Sequence, residues 1–228
     1  MNEDEKKKMI EYLSGFITKE RNLLLKRNLQ NRTNHLSIIL EDIFHSQNAS
    51  AVLRTADCFG IQNIHIIENN NTYNTNPNIS LGSSKWITHN FYNKYDNNTI
   101  SCIKELKSKG YRIIATSPHA KQSVHEIKFK KDKIALLFGS ELDGLSDLAI
   151  EHSDEIVNIP MFGFTESYNI SVAAALCIHP IFIKIRKSRI DWRLTDKEQD
   201  EVMLNWLRNS LKDYNMIEKR FIDNNYKI

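Results

Sequence analysis

An alternation of short apolar runs with segments of helical period constrains the fold more than any other feature. The apolar runs have the length of buried strands, and the segments between them carry apolar residues three or four positions apart. This alternation predicts an α/β fold, with a mainly parallel sheet and helices on both faces. The predicted strands are residues 36–40, 64–67, 87–92, 111–116, 134–138 and 155–159, and the predicted helices are residues 48–59, 100–109, 145–152 and 169–186.

Two segments lie outside this alternation, and we interpret both as helical. Each is polar, with apolar side chains on one helical face. We therefore expect an N-terminal helical extension over residues 1–35, a central domain over residues 36–189 and a C-terminal helical extension over residues 190–228. An insert over residues 69–78 holds six Asn, a composition that predicts a solvated loop.

Composition excludes several classes of protein. The chain has 228 residues and is 41% apolar, enough for a packed core, and its formal charge of +3 does not by itself indicate nucleic acid. Three widely spaced cysteines argue against a zinc site or a disulfide framework. Residues 172–185 are too few to span a bilayer, and residues 1–35 lack the apolar run of a secretory signal. We therefore expect a soluble cytoplasmic protein without membrane association.

Three segments at predicted strand ends carry the residue types of a functional site, because ligands of parallel α/β sheets bind there. In the first, residues 45–57, Asn48 is predicted to be the N-cap of a helix whose second turn holds Arg54. The ordinary interpretation pairs Arg54 with Asp57. The functional interpretation has Arg54 reach an RNA phosphate or ribose.

The second segment, residues 138–146, runs from a strand directly into a turn that contains Glu141. Gly139 and Gly144 permit conformations and close approaches that other residues cannot adopt. The ordinary interpretation is a tight turn capped by Asp143. The segment is neither a G-x-G-x-x-G pattern nor a P-loop, which argues against a nucleotide-binding dehydrogenase.

The third segment, residues 159–175, leaves a strand and enters a helix that is rich in alanine. Ser167 or Asn169 is predicted to start this helix. The three alanines at 173–175 predict close helix packing, which is an ordinary structural role.

In this order, the three segments resemble the three motifs of the SpoU family of RNA ribose methyltransferases. The matches are N-x-S-x-x-x-R-T-A, G-S-E-x-x-G-L and I-P-M-x-G-x-x-x-S-x-N-x-S-V-A, and the resemblance covers residues 36–186. Residues 82–86, G-S-S-K-W, are similar to an element of the branch that methylates guanosine 18 in the tRNA D-loop. The sequence departs from the family at Tyr168 and Ile170, where Leu and Val are usual.

The resemblance implies a C-terminal trefoil knot in the α/β domain, an exception to the rule that chains are not knotted. It also implies S-adenosylmethionine as cofactor, tRNA as substrate, a homodimer and no metal. The cofactor contacts that it implies fall at Thr116, Gly139, Ile159, Met161, Tyr168 and Asn169.

The resemblance assigns activation of the ribose 2′-hydroxyl to Arg54. Because the pKa of arginine lies above about 12, two roles stay open. Arg54 accepts the proton in a strongly perturbed site, or it fixes the neighbouring phosphate and stabilises developing negative charge. Asn48 would orient Arg54 or the ribose. Glu141 would orient both side chains or receive the proton, and Ser167 and Asn169 would shape the site from the knot.

Two basic runs flank the predicted domain, and we expect them to bind RNA phosphates, although a solvated surface is their ordinary interpretation. Residues 1–35 are too few for a separate RNA-binding domain, which favours tRNA over ribosomal RNA. The same reaction on ribosomal RNA or at another tRNA position, and a non-catalytic RNA-binding module, remain open alternatives. The predicted RNA contacts are Lys19, Arg21, Lys26, Arg27, Arg32, Lys184, Arg186 and Arg189.

Overall fold

A parallel sheet forms the centre of the fold in the computed structural model, which describes residues 1–128 and 132–225. The strands are β1 (Leu36–Glu41), β2 (Asn63–Ile67), β3 (Thr88–Tyr92), β4 (Tyr111–Thr116), β5 (Gln122–Ser123), β6 (Lys133–Phe138) and β7 (Glu155–Asn158). Within the described residues these seven strands pair in the order β3-β2-β1-β6-β4-β7-β5, and every pair is parallel. The predicted α/β class is confirmed.

Helices connect the strands and occupy both terminal regions. They are α1 (Glu3–Ser14), α2 (Lys19–Leu29), α3 (Ser46–Cys58), α4 (Pro77–Ser80), α5 (Asn98–Ser108), α6 (Asp147–Glu151), α7 (Ile170–Lys187), α8 (Asp196–Ser210) and α9 (Tyr214–Asn225). The N-cap of α3 is His45, so the prediction that Asn48 is the N-cap is wrong. In the part of the chain that the structure describes, none of the helices has the length and apolar character needed to cross a bilayer.

Both faces of the sheet are buried under helices. One face packs against α3 and α7, and the other packs against α5 and α6. The central strands β1, β4 and β6 are therefore buried at almost every position, as a doubly covered parallel sheet requires, whereas the edge strands β3 and β5 are mainly polar and less buried. The register pairs Leu40 with Phe138 and Thr116 with Val157, so the carboxyl ends of β1, β6, β4 and β7 meet at one edge of the sheet.

The chain divides into two compact units. One is Thr33–Trp192, which holds the sheet, and the other combines Met1–Arg32 with Arg193–Ile228. Within the second unit, α1 packs against α8 and α9, and α2 packs against α8. The two terminal segments therefore pack against each other. Residues 226–228 of the predicted C-terminal extension lie outside the described residues.

The asparagine-rich insert after β2 is irregular up to residue 76 and mostly exposed, as its composition predicts, but its first three residues are held by hydrogen bonds. Asp42 adopts a left-handed backbone, with φ of 51°, and directs its carboxylate at these residues. The carboxylate accepts hydrogen bonds from the backbone N–H groups of Asn69, Asn70 and Asn71, at 2.7, 2.8 and 3.2 Å. Consecutive N–H groups form a concave anion site, which a carboxylate of the same chain fills here.

Candidate active site

A cavity of about 670 Å³ opens at the carboxyl ends of β4, β6 and β7. Its volume lies within the usual range of small-molecule sites. The last residues of these strands, Thr116, Phe138 and Asn158, form part of its wall, together with the segment that leads into α7. The cavity therefore lies where ligands bind in parallel α/β folds.

The six residues predicted to contact a cofactor come together in the wall of this cavity. They come from three separate stretches of chain, at the end of β4, after β6 and between β7 and α7. The group combines apolar side chains with small polar groups, and its part in binding stays a prediction. The six residues are Thr116, Gly139, Ile159, Met161, Tyr168 and Asn169.

The loop after β6 is folded so tightly that it leaves no room for a side chain at Gly139. Ser140 and Gly144 exchange two backbone hydrogen bonds, of 2.9 and 3.1 Å, which close the loop on itself. A Cβ atom at Gly139 would lie 2.1 Å from the carbonyl carbon of Gly144. Gly144 itself has φ of 71°, in the left-handed region. The geometry of the loop thus requires both glycines.

Glu141 projects from this loop toward the connection between β1 and α3. Its carboxylate accepts hydrogen bonds from the Asn48 side-chain amide at 2.7 Å and from the backbone N–H groups of Phe44 and His45 at 3.1 and 3.3 Å. Partial burial raises the pKa of Glu141, but these donors outweigh burial and hold the pKa below its ordinary value. Glu141 is therefore a carboxylate at neutral pH.

A chain of side-chain amides joins Glu141 to the start of α7. Asn169, the N-cap of α7, donates from Nδ2 to Asn48 Oδ1 at 3.0 Å, and Asn48 donates in turn to Glu141. The Asn169 Oδ1 accepts from the backbone N–H and the hydroxyl of Ser171, at 2.9 and 2.6 Å. Because only a donor can face the carboxylate, Glu141 fixes the orientation of both amides. One residue from each of the three motifs therefore meets at the cavity.

Arg54 lies apart from this group within one chain. It is exposed on α3, six residues beyond Asn48, and it is absent from the cavity wall. At about 100° per residue, this spacing places the two side chains about 120° apart around the helix. Within the described residues its guanidinium makes no hydrogen bond or ion pair, so the pair with Asp57 is not formed.

Ser167 is exposed and lines the cavity beside Asn169, as a site residue would. Among residues 1–128 and 132–225, no group of three or more His, Cys, Asp or Glu side chains is placed to hold a metal ion.

The predicted RNA contacts differ in exposure. Arg32 is only 5% exposed and lies 5.1 Å from the centre of the Trp206 ring, so little of its side chain lies at the surface and its contact with RNA stays a prediction. Lys184 donates to the backbone carbonyls of His125 and Ile127, at 2.9 and 3.1 Å, which is a structural role. Arg21 is half-buried, and the Arg186 guanidinium lies 3.9 Å from the centre of the Trp192 ring. The predicted contacts that are exposed are Lys19, Lys26, Arg27, Arg186 and Arg189.

The sequence analysis missed Glu41, the last residue of β1. Its side chain is 2% exposed and accepts three hydrogen bonds, from Thr99 and Ser146. The available signal is an acidic residue at the carboxyl end of an otherwise apolar strand, since buried carboxylates are rare unless they have partners.

Comparison with known proteins relates the chain to RNA methyltransferases. The SpoU rRNA Methylase family matches residues 35–179. The tRNA (guanosine(18)-2'-O)-methyltransferase of Borreliella burgdorferi is 44% identical over 95% of this chain and 97% of its own length. The A. aeolicus TrmH/SpoU tRNA modifying enzyme has a TM-score of 0.75 at 25% identity, over 85% of this chain and 98% of that one. The AdoMet complex of the SpoU methyltransferase AviRb from Streptomyces viridochromogenes shares the fold, with a TM-score of 0.58 at 19% identity over 72% of this chain and 62% of that one.

Proposed function

Because this chain belongs to the SpoU rRNA Methylase family, we propose that it methylates the ribose 2′-hydroxyl of guanosine 18 in the tRNA D-loop, with S-adenosylmethionine as methyl donor. The observation that carries the proposal is the hydrogen-bonded group of Asn48, Glu141 and Asn169 at the cavity. Similarity to a guanosine-18 enzyme along nearly the whole chain supports the choice of substrate and position.

The cavity fits S-adenosylmethionine in size and in lining. Gly139 offers its backbone without a side chain, and Ile159, Met161 and Tyr168 offer apolar surface for an adenine ring. Thr116 adds a small polar group at the end of β4. When it is bound, the cofactor supplies a methyl group that a positively charged sulfur makes electrophilic.

The protein contributes to the reaction by positioning the 2′-oxygen and by placing charged and polar groups around it. In an in-line methyl transfer, much of the rate enhancement comes from holding the 2′-oxygen behind the methyl group. The Glu141 carboxylate keeps the Asn48 and Asn169 amides in one orientation beside the cavity, and Ser167 completes the same wall. Arg54 either accepts the 2′-hydroxyl proton itself, or binds the adjacent phosphate and stabilises developing negative charge while Glu141 receives the proton.

A homodimer would let Arg54 of one subunit reach the cavity of the other, and the exposed surface around α7 supports such an assembly. Exposed apolar side chains recur along one face of α7 and in the segment before it, and exposed apolar patches are typical of subunit interfaces. We propose that two copies pair through this surface and that Arg54 of each subunit completes the site of the other. The exposed apolar residues are Phe162, Phe164, Val172, Leu176 and Ile183.

The exposed basic residues support tRNA binding. Lys19, Lys26 and Arg27 are exposed on α2, and Arg186 and Arg189 are exposed at the end of α7 and just after it. Contacts of these residues with phosphates would make tRNA affinity fall steeply with salt. Family membership also supports the trefoil knot, and a tRNA substrate supports a cytoplasmic location.

Ribosomal RNA is the main alternative substrate, because the family description names it. The purified protein should be incubated with S-adenosylmethionine and either bulk tRNA or ribosomal RNA, and the nucleosides analysed by mass spectrometry. We expect 2′-O-methylguanosine in the D-loop fragment of tRNA alone. The variant Arg54→Ala should give none while cofactor affinity in calorimetry stays near normal. Methylation of ribosomal RNA alone would overturn the choice of substrate, and failure to bind cofactor would favour a non-catalytic RNA-binding module.

A further inference from the structure

Glu41 holds the loop of Glu141 from the opposite side. The Glu41 Oε2 accepts the backbone N–H of Ser146 at 2.9 Å, and its Oε1 accepts the Ser146 hydroxyl at 2.8 Å. Ser146 ends the loop and is also the N-cap of α6, where its hydroxyl oxygen accepts the N–H of Ala149 at 3.1 Å. A single buried carboxylate therefore fixes the point at which the loop becomes a helix.

The carboxylates of Glu41 and Glu141 thus hold the loop after β6 against the segment that connects β1 to α3. Near the start of the loop, Glu141 reaches the backbone of residues 44 and 45 and the side chain of Asn48. At the end of the loop, Ser146 reaches Glu41, which lies just before the same segment. Between these anchors the loop tip, residues 142–144, is exposed. Its position therefore depends on the two anchors and on its own internal hydrogen bonds.

We propose that Glu41 is a positioning residue for the reaction, an inference that rests on the proposed function. It sets where Gly139 and Glu141 stand relative to the cavity, without touching the cavity itself. Hydrogen bonds to an ionised acceptor are stronger than neutral ones, and two bonds from one residue also fix its orientation. Loss of the carboxylate should therefore loosen the cofactor wall and the Glu141 network together.

Thr99 is the third donor to Glu41, and a change at Thr99 tests whether the loop depends on the Ser146 bonds or only on full hydrogen bonding of the buried carboxylate. Thr99, at the start of α5, donates its hydroxyl to Glu41 Oε1 at 2.6 Å and accepts from Asn69 Nδ2 at 2.9 Å. This contact leads toward the insert and away from the loop. Thr99→Val should therefore lower stability with little effect on cofactor binding, because the bonds to Ser146 remain.

The test compares Glu41→Gln with Glu155→Gln in the full-length protein. A glutamine keeps the size of the side chain but loses the charge, and in either orientation its NH2 group replaces an oxygen that accepts from the Ser146 N–H or from the two hydroxyl groups. The same change at Glu155 removes a carboxylate that accepts from the charged Arg112 and from the neutral amide of Gln122, yet Glu155 is not part of the cavity wall. The control therefore reports the effect of losing a half-buried charge alone.

We expect Glu41→Gln to raise the KM for S-adenosylmethionine and to lower kcat, each by about tenfold, with an unchanged KM for tRNA. Glu155→Gln should change stability only. If Glu41→Gln does not fold, Ser146→Ala is measured instead, because Ser146 is exposed, and we expect a smaller rise in the KM for S-adenosylmethionine.

The inference would be overturned if Glu41→Gln had the same kinetic constants as Glu155→Gln. It would also be overturned if Ser146→Ala had the kinetic constants of the wild type. An inactive wild-type protein would instead overturn the proposed function.

Discussion

Glu141 is a charged residue whose partners define the candidate site. Glu141→Gln removes the charge that orients the Asn48 amide and accepts two backbone N–H groups. We expect kcat for tRNA methylation to fall by about a hundredfold, because the polar groups that stabilise the transition state are no longer held in a fixed orientation. The same change at Glu151, exposed at the end of α6, should leave kcat unchanged. Normal turnover by Glu141→Gln would remove this carboxylate from the mechanism.

Gly139 tests the shape of the cavity wall. Gly139→Ala places a Cβ atom 2.1 Å from the Gly144 backbone, so the loop must move. We expect calorimetry to show cofactor affinity lowered by about tenfold or more, because the wall of the cavity moves with the loop. Gly15→Ala adds the same methyl where the nearest atom is 3.2 Å away, and it should bind cofactor normally. Normal affinity in Gly139→Ala would contradict the assignment of this loop to cofactor binding.

Among the elements of the fold, strand β2 contains a buried histidine, His65, that makes the stability of the protein depend on pH. The side chain is 4% exposed, and burial, aided by the Lys109 charge, lowers its pKa from 6.5 to about 4. Between these values the unfolded chain binds a proton that the folded chain does not, so stability falls as the pH falls. The full shift corresponds to about 3 kcal/mol.

Urea titrations between about pH 7.5 and pH 4 measure this dependence. The free energy of unfolding of the wild type should drop more steeply toward acid than that of His65→Phe, which has no titrating group. His119→Gln, at an exposed position, is the control and should follow the wild type. Parallel curves for the wild type and His65→Phe would contradict the buried neutral histidine.

Much of the element order could be predicted because buried strands and amphipathic helices leave a periodic pattern. The strand predicted over residues 111–116 coincides with β4 (Tyr111–Thr116). The start of α3 was misplaced because asparagine is a common N-cap residue. The Asn48 amide instead donates a hydrogen bond to Glu141, 93 residues away in sequence. The two residues of β5 are too few for any periodicity.

The candidate site was predictable only in part. The motif order identified Asn48, Glu141 and Asn169, but local spacing carries no information about which side chains meet. Glu41 and its contact with Ser146 escaped for the same reason, since the partners are 105 residues apart. Arg54 shows the limit most clearly, because it lies outside the cavity wall within one chain and its proposed role depends on the proposed homodimer.

At the scale of the whole molecule, the exposed face of α7 predicts the assembly. Leu176→Glu places a charge on this face, and sedimentation should then show monomers, because a buried unpaired charge is costly at an interface. The monomer should keep cofactor binding, since the cavity lies within one chain, and should lose turnover. Leu23→Glu, at a 68% exposed position on α2, should remain dimeric. A monomeric wild-type protein with full activity would contradict the shared site.

Methyl transfer to a synthetic tRNA tests the central claim most directly. Two transcripts are compared, identical except that one carries 2′-deoxyguanosine at position 18, and both are incubated with labelled S-adenosylmethionine. We expect the ribose transcript to take up one methyl group and the deoxy transcript to take up none. Equal labelling of both transcripts would place the methyl group at an atom other than the 2′-oxygen of nucleotide 18.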